Sequence, residues 1–166
     1  SAERELGNLI TLKEKLDELK NTYESGQVAI QIESVKAWIE YAKGNGQKAI
    51  EFMTKAANLE SKTSKAAVTP GEIIPADELL ADMYLLLDKP KLALETYEKN
   101  LKSRPYRFNG IYGAAKAAEK LNNVKLANYY FNQLIDLTKG INSSRPEIKE
   151  ANEYILKNST MLADNV

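Results

Sequence analysis

ADELLADMYLLLDKPKLALETYEKNLKSRP at residues 76–105, followed directly by YRFNGIYGAAKAAEKLNNVKLANYYFNQLIDL at residues 106–137, decides the fold. Apolar residues recur three and four apart through both stretches, which is the period of a helix with one buried face. Ala93 and Ala127 lie 34 residues apart, and at the same spacing Leu80-Ala81 falls on Ala114-Ala115, Tyr84 on Ala118, Tyr97 on Phe131 and Leu101 on Ile135. Small residues recurring at one spacing mark close helix crossings. Bulky residues recurring at the same spacing mark where one helical hairpin packs on the next. A self-similar period of this length signals a stacked helical array.

Upstream, Ala37, Ala49, Met53 and Ala56 form an earlier unit. Ala49 precedes Ala93 by 44 residues, so residues 61–74 insert 10 residues into the period. That segment has no helical period, and long loops inside compact domains are often functional. Ile73 and Ile74, between Pro70 and Pro75, are expected to dock on the first hairpin, with residues 61–65 more mobile. The N-terminal helix is read as residues 3–24, with Leu9, Leu12, Leu16, Leu19 and Tyr23 on one stripe, Leu6 and Ile10 on the other side, and Gly26 as its stop. Lys15 stands 34 before Ala49, so this helix does not repeat the pattern. Asn45 and Asp88 are expected to cap the third and fifth helices. Ser144-Arg-Pro-Glu147 reads as a capping box opening an eighth, whose Lys149, Glu150, Glu153 and Lys157 give it a solvent face.

The expectation is an all-α chain of seven or eight antiparallel helices stacked as a right-handed superhelical solenoid. It forms a single domain over residues 1–166: a degenerate helix at 1–26, a first repeat at 28–60, the inserted loop at 61–74, a second repeat at 75–105, a third at 106–140 and a capping helix at 144–163.

The repeat resembles the tetratricopeptide (TPR) family. Leu80, Ala81, Tyr84, Ala93, Tyr97 and Pro105 match its pattern once in full; the next unit keeps the small residues and Phe131 but not the closing proline. The strings VTPGEIIPADELL at 68–80, RFNGIYGAA at 107–115 and RPEIKEA at 145–151 are similar to the C-terminal region of long, often exported bacterial TPR proteins whose function is not settled. Those relatives tend to carry His-Pro before Val-Thr-Pro-Gly, where this chain has Ala66-Ala67.

Composition narrows the chemistry. Hydrophobic residues are 43% and charged ones 28%, as in a globular protein. Lys+Arg and Asp+Glu are both 23, which disfavours a nucleic-acid binder that must neutralise phosphates. There is no cysteine and no histidine, so thiol nucleophiles, Ser-His-Asp triads and almost every zinc site are excluded. No apolar run reaches a membrane span, and no cofactor, metal or catalytic residue is expected. Gly44-Asn-Gly46-Gln-Lys48 lacks the spacing of a phosphate loop and reads as a hairpin turn. Asp77/Glu78 and Glu147/Glu150 sit in first turns, where the helix dipole accounts for them.

The resemblance implies a concave groove lined by the first helix of each repeat. It points to Ser34, Trp38 and Tyr41 in the first repeat, to Glu78, Asp82 and Leu86 in the second, and to Asn109, Tyr112, Lys116 and Lys120 in the third. Aromatic anchors with a few orienting polar groups suit a peptide or protein partner. The expected function is a non-catalytic interaction scaffold. The alternatives are a structural module that positions another part of a longer chain and, with least weight, a small enzyme working without His or Cys. A weak homodimer through the N-terminal helix is also expected. The relatives point to an exported or periplasmic location, against which stands a cytoplasmic one.

Overall fold

The computed structural model of the chain describes residues 1–63 and 74–163. Among them are eight α-helices and no strand: α1 (Ala2–Glu18), α2 (Thr22–Ala42), α3 (Gly46–Lys62), α4 (Ala76–Leu86), α5 (Pro90–Ser103), α6 (Phe108–Lys120), α7 (Val124–Leu137) and α8 (Pro146–Ala163). Where a single domain is expected, the chain gathers into two compact units, Ser1–Met83 and Tyr84–Val166. In the first, α1 packs on α2 and α2 on α3; in the second, α5, α6, α7 and α8 pack each on the next. The expected insertion falls mostly on residues 64–73, Ile73 included, outside the described residues; its first two positions, Ser61 and Lys62, belong to α3.

The repeat register read from spacing is the register of the core. Ala37, Ala81 and Ala115 are fully buried, as are Ala49, Ala93 and Ala127. So are Met53, Tyr97 and Phe131, the bulky residue four positions after each of the latter. The Tyr97 ring lies directly on the α6 backbone at Gly113, where a Cβ would overlap ring carbons and the hydroxyl. Only glycine admits that approach.

The turns repeat as well. Gly44, Asp88 and Asn122, spaced as the alanines are, all adopt positive φ (81°, 54° and 56°). The next residue, Asn45, Lys89 or Asn123, is the N-cap of the following helix. Its amide donates to the carbonyl five residues back, on Glu40, Tyr84 and Ala118. Asp88 is therefore the left-handed residue of its turn and not the cap expected of it. The same turn joins α1 to α2: Lys20 has φ 56°, Asn21 is the N-cap and its amide donates to Leu16.

That turn corrects the N-terminal reading. α1 stops at Glu18, and Gly26 lies inside α2, because the Asn21 side chain accepts the Glu24 amide and starts a new helix before the glycine is reached. Tyr23 thus belongs to α2. Ser25 then stands four residues after its cap, as Ala49 does after Asn45, and is buried likewise. The inward face of α1 is Leu6, Leu9, Lys13 and Leu16, all half-buried, while Ile10, Leu12 and Leu19 are exposed. Leu6 therefore moves to the packed side, and Leu12 and Leu19 leave it.

Candidate functional site

α2 is buried on one side against α3 through Ala37 and flanked on another by α1. This leaves an open apolar groove in the first unit. Its floor is α2, with Ile30, Gln31, Val35 and Trp38; Leu9 of α1 stands on one wall, and Ile74 and Leu79 on the other. The groove encloses about 560 Å³. A second apolar concavity, about 440 Å³, continues past Val35 and Trp38 toward Ala42 and the start of α1, Ser1 to Glu3. Trp38 and Val35 thus form the saddle between two hollows. Trp38 meets Tyr41 edge to face, with ring centroids 5.8 Å apart and planes at 85°. Ser34 lines the groove, but its hydroxyl is spent on the Ile30 carbonyl at 2.9 Å.

Three carboxylates, Glu33, Glu78 and Asp82, stand outside the groove lining, and a fourth, Glu60, belongs to it. Glu33 is buried between α2 and α3, paired with Lys36 at 3.1 Å and Lys55 at 3.2 Å. Glu78, expected on the groove face, is fully buried and engaged. Its neighbour one turn on, Asp82, is half-buried and also engaged. Glu60, at the end of α3, accepts the Ala76 amide at 2.8 Å and so caps α4.

In the second unit the expected residues face their own chain. Tyr112 donates its hydroxyl to Glu150 of α8, and Lys116 reaches the same carboxylate at 2.6 Å while also bonding Glu119. Asn109 accepts from Arg145 at 3.4 Å, and the Arg145 guanidinium lies 3.9 Å over the Phe108 ring. Lys120 pairs with Asp88 at 2.8 Å. Leu86, the remaining member, is 55% exposed. Phe131 of α7 packs on Tyr154 of α8, centroids 4.5 Å apart, and Tyr130 donates to Glu98 at 3.0 Å. α8 is thus tied down from both α6 and α7. Glu150, expected on its solvent face, points inward instead. Glu147, expected in a capping box, turns to Arg145 at 3.5 Å.

The electrostatics follow from this cluster. Burial pushes the Glu150 carboxyl up, but the hydrogen bonds from Lys116 and Tyr112 and the Lys116 charge outweigh it and hold it below its ordinary range. Burial pulls Lys116 down, and its bonds to Glu119 and Glu150 overcome this and raise it. Burial first, then the Glu150 hydrogen bond and charge, push the Tyr112 phenol up to about 12. A neutral tyrosine, a protonated lysine and an ionised glutamate satisfy one another, which describes a fastening and not an acid–base pair poised near neutrality.

Among the described residues, no group of three or more His, Cys, Asp or Glu is arranged to hold a metal ion, and no helix is long and apolar enough to cross a membrane. The sequence reading named Trp38 and Ser34 of the groove lining, and Tyr41, which meets Trp38 without lining either hollow, but missed Leu9, Ile30, Gln31, Val35 and Leu79. Val35 and Leu79 were within reach: at the 44- and 34-residue spacings they share a column with Gly113, so two large apolar side chains stand where the third repeat has none. No protein-family model matches the chain, and no curated protein matches it either.

Proposed function

We propose that the chain is a TPR-type, right-handed superhelical repeat scaffold that binds a protein or peptide segment without catalysing a reaction. The groove over α2 is the binding site. The observation that carries this reading is the open apolar groove around Trp38, walled by Leu9 and Leu79. Binding sites are concave, mostly apolar and supplied with few polar groups, and this one offers the Gln31 amide on its floor. The absence of histidine and cysteine supports the non-catalytic part. The internal fastening of Tyr112, Lys116 and Lys120 favours a second role, in which α6 and α8 build a rigid platform for another region of a longer chain.

The chain has one tryptophan, so Trp38 emission reports on the groove directly. Titration with a panel of tryptophan-free apolar and aromatic peptides should shift that emission and saturate for a subset. Val35→Glu and Leu79→Glu should each weaken such binding at least tenfold, about 1.4 kcal/mol, while Lys116→Glu leaves it intact. Binding that survives both groove variants, or that Lys116→Glu removes, would move the site off α2.

A further inference from the structure

We infer that α1 is an exchangeable helix: it can leave its own α2 and dock on the α2 of a second copy, which then supplies one wall of the groove. Two features of the first unit point to this, and the register of the hairpin permits it.

The hold on α1 is slight. Seventeen residues long, it has none that is buried. It packs on α2 through the half-buried Leu6, Leu9 and Leu16, with Asp17 accepting from the Ser25 hydroxyl at one end and Glu3 meeting Lys43 at 3.3 Å at the other. Every one of these contacts can be made equally by α1 of another copy.

The hinge is strained. Only Leu19, Lys20 and Asn21 join the two helices, and Lys20 sits at φ 56°, a conformation costly for a residue with a side chain and no local hydrogen bond to offer in return. Its counterparts in the other three turns are Gly44, Asp88 and Asn122, the types that tolerate it. Short strained hinges favour exchange. Leu19 and Lys20 are good helix formers, so opening the hinge lets α1 and α2 run on as one helix and releases the strain.

The register suits a two-fold pair. Asp17 meets Ser25 and Glu3 meets Lys43, so the antiparallel partners are centred on the hinge itself. Two opened chains would cross there with every α1–α2 contact preserved. Leu19, 76% exposed in the closed form, would lie at the crossing. Because Leu9 and Ser1 to Glu3 line the two hollows beside Trp38, each groove in the pair would be completed by the other copy.

The absence of cysteine gives a clean test. In Asp17→Cys/Ser25→Cys the new thiols face each other across α1 and α2. The variant is incubated at high concentration with an affinity-tagged copy of itself, then oxidised or bridged with a short bis-maleimide and run without reductant. Exchange yields covalent dimers, including tagged–untagged pairs, in a proportion that rises with concentration. Adding Lys20→Gly removes the hinge strain from the closed form and should lower the interchain share about fivefold per chain. Sedimentation of the unmodified chain supplies the check that does not depend on the cysteines. A strict monomer at high concentration overturns the inference. A dimer whose cross-links are all within one chain overturns it equally, since the copies would then meet through another face. Neither result bears on whether peptides bind the groove.

Discussion

α2 and α6 occupy the same place in their repeats, yet one presents an open face and the other a closed one. Along α2, Trp38 and Val35 border hollows. Along α6, the residue in the Trp38 column is Lys116, tied to Glu150 of α8, and the residue in the Val35 column is Gly113, filled by the Tyr97 ring. The small-residue columns that build the hairpins are equally buried in both. The repeat therefore conserves the crossings and leaves the remaining face free to be used or sealed. In the second unit it is sealed twice, by an aromatic ring from α5 and by a charged clamp from α8.

The ring seal should break hardest. Gly113→Ala puts a methyl into the ring of Tyr97, a fully buried side chain of α5. Overpacking of this kind costs about 3 kcal/mol, read as a large drop in the melting temperature followed by circular dichroism. Tyr97→Leu in the same chain should recover a good part of it. A neutral Gly113→Ala would mean the two helices do not cross so closely.

Asn100 is the next largest. It is fully buried, and neither its Oδ1 nor its Nδ2 has a hydrogen-bond partner among the described residues. The residues in its column are Ala56 and Leu134, both also fully buried. Asn100→Leu should therefore stabilise the second unit by about 1–2 kcal/mol, the cost of leaving a buried amide unmade. A loss of stability would show that the amide is satisfied and has a role of its own.

The charged seal is worth less, because Glu150 is part-exposed and such pairs contribute roughly 0.2–1 kcal/mol. Its signature is in pH. Glu150 lies below its ordinary value when folded, so its contribution is complete above the normal carboxylate range and is lost as pH falls through the depressed value. At the other end, the Tyr112 phenol is raised, so its contribution is complete below pH 10 and is lost as pH climbs toward about 12. Amide exchange in α8 should quicken at both extremes while α5 stays protected. Glu150→Gln should abolish the acid step. An unchanged acid limb in that variant would place the fastening of α8 elsewhere, on the Phe131–Tyr154 contact.

The hairpins were legible in the sequence because the crossings demand small residues at one spacing, and the columns Ala37/Ala81/Ala115 and Ala49/Ala93/Ala127 meet that demand. The first turn was not legible, because a glycine at 26 is a stronger stop signal than Lys20-Asn21, and only the Asn21 side chain on the Glu24 amide decides between them. The site was half legible. Trp38 and Tyr41 were pointed to by the repeat resemblance, but the closure of Tyr112 and Lys116 depends on Glu150, 34 residues after Lys116 and on a helix whose rotation a charge-rich sequence does not specify. An even mixture of Lys and Glu around α8 allowed several faces to point outward; packing of Phe131 on Tyr154 chose one.

Asn122→Gly yields the smallest effect, and set beside Lys20→Gly it gives the finest test of whether the four hairpin turns are equivalent. Gly44, Asp88, Asn122 and Lys20 share the left-handed conformation and a following amide that donates to the carbonyl five residues back, but they differ in what that conformation costs each. Asn122 tolerates it, since asparagine visits this region with little penalty. Replacing it with glycine removes that small penalty and adds backbone freedom to the unfolded chain. The two terms nearly cancel, so Asn122→Gly should change stability by no more than about 0.3 kcal/mol, within the range of ordinary surface substitutions. Lys20 has no such tolerance, and Lys20→Gly should stabilise the closed hairpin by about 1 kcal/mol measured in dilute solution. The comparison rests on the difference between the two variants, because the added freedom of glycine enters both and drops out. Equal effects at the two positions would mean that Lys20 carries no strain, and that the join between α1 and α2 is as relaxed as the turns within the repeats.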